Sequence, residues 1–193
     1  MEKLKIALIG VHGCGKSTTG RALAKILGAK YIELEVIDEV TRLNLDPFYM
    51  ELLFLSNFTY RYIVEYFSNA RVIFSAHPIM TIAYSEYWVG RNNIISYIAS
   101  NISVILPKLD YLIYLKPSNI NTIIERILKR GRDIAQIEAD KDYLKYIIDR
   151  LDQIVKEYGH ILAKHVITID ACLELEERIN KILSEIKRKE IKD

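Results

Sequence analysis

Gly10-Val11-His12-Gly13-Cys14-Gly15-Lys16-Ser17 is the stretch on which the reading of this chain turns. It fits the pattern G-x-x-x-x-G-K-[ST], whose glycines let the backbone curl until consecutive N–H groups point at one anion. The flanks agree with it. Leu4–Ile9 is a short apolar run that predicts a buried strand, and after Ser17 the residues Ala22, Leu23, Ile26 and Leu27 recur with helical period until Gly28. Strand, glycine loop and helix, in that order, add the positive end of the helix dipole at the same anion. Lys16 then supplies the point charge for the β- and γ-phosphates and the Ser17 hydroxyl a ligand for Mg²⁺. Gly10, His12, Gly13, Cys14, Gly15 and Thr18 complete the expected cradle for a nucleoside triphosphate. His12 either touches the phosphates or faces solvent. No N-K-x-D or T-K-x-D stretch is present to read guanine, so ATP is the expected donor.

Outward from this loop, apolar strand-like runs alternate with amphipathic ones. Residues 29–37 predict a second strand, ending in the charged group Asp38, Glu39 and Arg42. Asp46-Pro47 starts a helix expected to run to Ser68, where Asn69 is a candidate left-handed stop. Further strands are expected at 71–75, 109–115 and 166–169. Helices are expected at 93–106, 120–130, 141–158 and 173–186, with 79–88 helical or irregular. Asn93 and Ser118 are the candidate caps of the first two. Such alternation implies an α/β fold with a parallel sheet covered on both faces. Ligands of such sheets lie beyond the carboxyl ends of the strands, so residues 10–17, 38–42, 75–77, 116–117 and 170–171 should meet around one cleft.

The 193 residues suit one domain, 1–193, with a small basic lid near 126–140. A formal net charge of +2 gives no reason to expect nucleic acid as a partner. No apolar run is long enough to cross a bilayer, and Cys14 and Cys172 suggest neither a disulfide framework nor a zinc site. A cytoplasmic protein without membrane partners is the expectation.

A second constellation is Arg126, Arg130 and Arg132, around Gly131. The first two share a helix face and the third follows on a polar stretch, 132–140, expected to be a loop. Guanidinium groups there can follow the charge that spreads over phosphoryl oxygens during transfer, and can close over the donor. The plainer alternative is a solvated basic helix end favoured by the dipole.

With these residues in place the chain resembles the phosphate-loop nucleotide and nucleoside kinases. It is most similar to thymidylate kinases and deoxynucleoside kinases, with some likeness to nicotinamide riboside kinases. Besides the loop, the resemblance is carried by Asp38–Arg42, by Ala76–Tyr84, by Leu109–Leu115 followed by Glu125–Arg132, and by Thr168–Ala171. It implies a three-layer α/β/α sandwich whose five-stranded parallel sheet has the order 2-3-1-4-5. It also implies ATP and Mg²⁺ as cofactors, a nucleotide or nucleoside as the small-molecule acceptor, and Asp170 and Ala171 near the adenine. A homodimer through the helices near 47–68 and 93–106 is a further implication.

One passage departs from the family pattern. Where members carry an acidic residue followed by Arg, this chain has Ala76-His77. Glu39 is the first candidate to take over the acidic work, as base or as partner of a Mg²⁺-bound water, and Glu35 the second. Arg42, His77, Phe58 and Tyr84 are the candidate acceptor ligands, His77 as a neutral imidazole for a hydroxyl or as a cation for a phosphate. Aromatic residues in this region are more often core. Two rival functions stay open at this point. One is an ATP-binding or ATP-hydrolysing switch protein without a small acceptor, which Ala76-His77 supports. The other is a kinase of another small molecule, such as nicotinamide riboside.

Overall fold

The computed structural model describes residues 3–34, 43–131 and 135–191. Its centre is strand β1 (Leu4–Ile9), in which Ile6, Ala7, Leu8 and Ile9 have no solvent exposure. A strand can be apolar on both faces only where both faces are covered. Around it lie β2 (Lys30–Ile32), β3 (Arg71–Phe74), β4 (Leu109–Lys116) and β5 (Ala163–Asp170), all parallel, in the order β2-β3-β1-β4-β5. This is the order expected, and register sets Ile9 beside Tyr114 and Ala7 beside Phe74. The carboxyl ends of the strands therefore share one edge.

Helices fill both faces. α1 (Lys16–Leu27) and the last helix α8 (Leu175–Glu190) pack together on one side. A second group makes the opposite layer: α2 (Pro47–Ser68), α3 (Thr81–Trp88), α4 (Ile94–Ile105) and α7 (Lys141–Leu162). α5 (Ile120–Arg130) and the single-turn α6 (Ala135–Glu138) lie against α7 near the loop. The α2 and α4 starts are fixed by side-chain caps. Asp46 Oδ1 accepts from the Phe48 N–H at 2.8 Å, and Asn93 Oδ1 from the Ser96 N–H at 2.8 Å.

Several boundaries differ from the sequence expectation. Regular strand β2 ends at Ile32; residues 35–37 of the expected strand lie outside the described residues. Asn69 is not left-handed but extended, because its amide is drawn to the Glu65 carboxylate at 2.7 Å. Asn119, not Ser118, caps α5, because the Ser118 side chain is drawn into a hydrogen bond with Asp170. Part of the expected polar loop 132–140 is the helical turn α6. α7 continues to Leu162 and passes straight into β5, which starts at Ala163 rather than 166.

α1 sits close to the sheet because Gly20 has no side chain. A Cβ there would lie 2.6 Å from Tyr31 Cε2 and 2.9 Å from Leu8 Cδ1. Helix propensity alone favours alanine by about 1 kcal/mol. Tyr31 cannot yield cheaply, since its hydroxyl donates to Glu33 at 2.7 Å. Overpacking should therefore win, and Gly20→Ala should lose about 1–3 kcal/mol in urea unfolding. A variant as stable as the parent would show that α1 is not seated this tightly.

Candidate active site

The loop leaves β1 at Gly10 and enters α1 at Lys16. Gly15, the residue before the helix, has φ 89°, a left-handed conformation that side chains resist. Space forbids a side chain as well, because a Cβ would lie 2.5 Å from Arg178 Nη1. Lys16 is buried, and its Nζ donates to the carbonyls of Gly10 at 3.0 Å and Val11 at 3.2 Å, so its charge is folded over the loop. Ser17 is half-buried and hydrogen-bonds to the Tyr31 hydroxyl, which in turn reaches Glu33. Thr18 is exposed at the edge of a groove beside the loop.

That groove holds about 320 Å³ and runs from Gly13 and Gly15 to Arg126, Arg130 and the start of α8. Arg126 is engaged there. Its guanidinium donates to the carbonyls of Ala171 at 2.6 Å and Cys172 at 3.3 Å. Arg130 is exposed at the end of α5, and Arg132 lies outside the described residues. Asp170 turns into its own loop, accepting from the N–H groups of Cys172 at 2.8 Å and Ser118 at 3.1 Å. Burial opposes its ionisation, but these donors outweigh burial and hold its carboxyl below the usual range. Ala171 is fully buried, with its carbonyl shared by two arginines.

The second of those arginines is Arg178, which the sequence gives no reason to single out among the charges of the last helix. It is buried, and Nη1 donates to Thr19 Oγ1 at 2.9 Å and to the Cys14 carbonyl at 3.4 Å. Nη2 donates to the carbonyls of Leu173 at 2.7 Å and Ala171 at 2.8 Å. One guanidinium thus ties the phosphate loop, α1 and the turn after β5 together.

On the other side of the loop lies a cavity of about 230 Å³. His12 forms its wall on the loop side. Its Nδ1 is 3.3 Å from Glu138 Oε1, and its ring meets Tyr84 edge-on at 5.2 Å and stacks on Tyr143 at 6.2 Å. Phe58 and Tyr84 line the cavity, together with Trp88, with Thr81 from the Ala76–Tyr84 stretch, and with two groups that no motif singled out, Glu51 and Glu138. Glu35, Glu39 and Arg42 lie outside the described residues.

The deoxynucleoside kinase family matches residues 6–192. The chain belongs to that family. A search of curated proteins finds no match. Among solved structures, the deoxyadenosine kinase from M. mycoides with bound dATP is similar at 23% identity and a TM-score of 0.74, over 95% of this chain and 100% of that one. The same enzyme with bound dCTP is similar at 20% identity and a TM-score of 0.74, over 96% of this chain and 100% of that one. At such identities these likenesses establish the fold, and the family match establishes a nucleoside kinase that draws its phosphoryl group from a nucleotide.

In this deoxynucleoside kinase His77 does not reach the cleft. It is 1% exposed, Nδ1 accepts from the Ile79 N–H at 3.2 Å, and its ring meets Tyr62 edge-on at 5.1 Å. The expected acceptor ligand is instead the cap of the short 3₁₀ turn Pro78–Met80. Burial pushes its pKa down to about 3, so the imidazole is neutral. Its ordinary value is about 6.5, so between these limits the unfolded chain binds a proton that the native one does not. Stability should fall as pH drops from about 6.5 toward 3, by about 1 kcal/mol per pH unit from this residue. His77→Asn keeps a capping acceptor without the titration, and should flatten that part of a melting-temperature profile. Parallel profiles for the two proteins would refute the assignment.

Proposed function

We propose that this kinase transfers the γ-phosphoryl group of ATP, with Mg²⁺, to a hydroxyl of a deoxynucleoside rather than to the phosphate of a nucleotide. The observation that carries this is the charge of the acceptor cavity. Among the described residues its lining has no Lys or Arg, but two buried carboxyls, Glu51 and Glu138. A phosphate on the acceptor would have to shed its water in a cavity walled largely by aromatic and aliphatic side chains, whereas an uncharged nucleoside would not. The switch and nicotinamide riboside readings lose their ground, because His77 is accounted for as a cap and the family match is to deoxynucleoside kinases.

The chain's own groups divide the work. Lys16 leaves the loop carbonyls of Gly10 and Val11 when it turns to the β- and γ-phosphates. Ser17, with Glu33 nearby, offers the oxygen ligands that would hold Mg²⁺, which would supply charge neutralisation to the phosphates. Glu39, with Glu35 as second choice, is proposed to accept the hydroxyl proton, and Arg42 to hold the acceptor. The segment 126–140 is proposed to act as a lid. Within it Arg130 is better placed than Arg126 to meet developing charge, since Arg126 already holds the turn after β5. The two free cysteines suit a cytoplasmic setting.

The test is phosphorylation of a panel of nucleosides and nucleotides with ATP and Mg²⁺. A nucleoside should be the acceptor. Lys16→Ala should abolish turnover with the fold retained by circular dichroism, and Arg130→Ala should lower kcat about tenfold or more with little change in ATP affinity. Turnover of nucleotides alone would reject the proposal.

A homodimer belongs to the same reading. The outer face of α2 exposes Tyr49, Tyr60 and Phe67, and α4 exposes Ile94, Tyr97 and Ile105, with Phe67 73% and Ile105 81% exposed. Contiguous apolar patches of this kind mark association surfaces. Light scattering should give a dimer, and Phe67→Glu with Ile105→Glu should give a monomer. A monomeric parent protein at micromolar concentration would overturn it.

A further inference from the structure

Among the described residues, the phosphate loop and the acceptor cavity share one side chain, that of His12. Its backbone belongs to the loop between Gly10 and Gly13, and its ring walls the cavity. Three further elements hold the ring. Glu138 on α6, itself 3% exposed, sets Oε1 3.3 Å from His12 Nδ1. Tyr84 on α3 meets the ring edge-on at 5.2 Å, and Tyr143 on α7 stacks on it at 6.2 Å. A ring held in this way is not a solvated surface histidine, and its side chain is only 16% exposed. Of the described residues that line the cavity, it is also the only one with a basic side chain.

We infer that His12, held by Glu138, is a catalytic residue: as an imidazolium it donates to an oxygen of the phosphoryl group while that group crosses from the donor to the acceptor hydroxyl. This rests on the nucleoside-kinase reading above. Place and charge both point to it. The group leaves a loop built for anions and arrives at a cavity whose described lining carries no Lys or Arg. Lys16 and the loop N–H groups serve the donor side, and negative charge spreads over the oxygens in transit. His12 stands at the boundary between the two sides. A protonated imidazole has two N–H donors. Glu138 takes the one at Nδ1 and so orients the ring, and Nε2, on its far side, carries the other. In the step, the acceptor hydroxyl bonds to the γ-phosphorus as the bond to the β–γ bridging oxygen breaks. The hydroxyl proton goes to the base, and His12 keeps its own. Glu138 acts through His12 and is a positioning residue.

The charge of the ring depends on what faces it. Glu138 supplies a negative charge, and Lys16, on the same loop, opposes it with a positive one. Tyr84 and Tyr143 are phenols, and burial pushes the Tyr143 hydroxyl well above its ordinary value, so it stays neutral. Glu51 on α2 lines the same cavity, and burial pushes it up to about 8, so it is mostly uncharged at neutral pH. Removing the charge of Glu138 should therefore be felt directly at His12.

The experiment measures kcat and KM against pH for the best acceptor of the four common deoxynucleosides, with ATP and Mg²⁺. The proteins are the parent, His12→Gln and Glu138→Gln, both variants close in size to the residue replaced and checked for folding by circular dichroism. Binding of the same deoxynucleoside and of its monophosphate, without ATP, is followed through Trp88, the chain's one tryptophan, which borders the cavity. In the parent, kcat should fall as pH rises and the imidazolium loses its proton. His12→Gln should lose that alkaline limb and lower kcat at neutral pH by about tenfold or more, with little change in nucleoside KM. Glu138→Gln should move the limb to lower pH by about one unit. The ratio of monophosphate affinities, parent over His12→Gln, cancels the ligand's own titration. It should fall by about tenfold through the same limb, while the nucleoside ratio stays flat. The inference is overturned by turnover without an alkaline limb in the parent, by a limb that survives in His12→Gln or stays in place in Glu138→Gln, or by a monophosphate ratio that ignores pH. In those cases nucleosides are still phosphorylated and the kinase reading stands. If no nucleoside is phosphorylated while the monophosphate ratio falls as expected, the anion contact at His12 stands and the kinase reading fails. With neither turnover nor a pH-dependent ratio, both fail.

Discussion

Everything in this structure depends on bending the backbone sharply at the end of a fully buried strand, so that several N–H groups face one anion. β1 supplies the rigid base for that bend, because sheet neighbours and helices on both faces hold it. Positive φ at Gly15 supplies the local geometry. Neither is sufficient to hold a curled loop in place. Arg178 does so from a helix at the far end of the chain, by donating to a loop carbonyl, to the α1 hydroxyl of Thr19 and to the turn after β5. The contact that makes Gly15 sterically obligatory is the same contact that fixes the loop.

The fold was legible because periodicity and punctuation agree in this chain. Apolar runs, helical repeats and the residues Gly28, Pro47, Asn93 and Gly131 mark most elements within a residue or two. The errors fall where a side chain has a choice of partner. Asn69 turns to Glu65 instead of stopping a helix in the left-handed region, and Ser118 loses its capping role because its side chain bonds to Asp170. The α7–β5 junction was misplaced because nothing punctuates it. Gly159 there provides close approach to Val166 rather than a turn.

The donor half of the site was legible from a contiguous motif, and of the acceptor half only Phe58 and Tyr84 were singled out beforehand. Glu51, Thr81, Glu138 and Tyr143 come from four separate elements and converge only in three dimensions. On α2, Glu51 is one of two acidic residues in a largely apolar helix, a pattern that fits a solvated position equally well. His77 shows the opposite failure. Its place after β3 drew attention to it, yet a strand end also needs a cap, and that need decided its orientation.

The missing turn between α7 and β5 has a mechanical consequence. Tyr143, in the first turn of α7, walls the acceptor cavity, and Asp170 and Ala171 close β5 beside the donor groove. Between them runs one helix of 22 residues, about 33 Å long, welded to one strand of 8 residues with no slack at the join. Gly159 lies against Val166, so helix and strand fold back on each other and the two binding regions sit at the two ends of one closed hairpin. Its arms meet without a linker, so the aromatic wall of one region and the turn that borders the other are set by one continuous piece of regular structure.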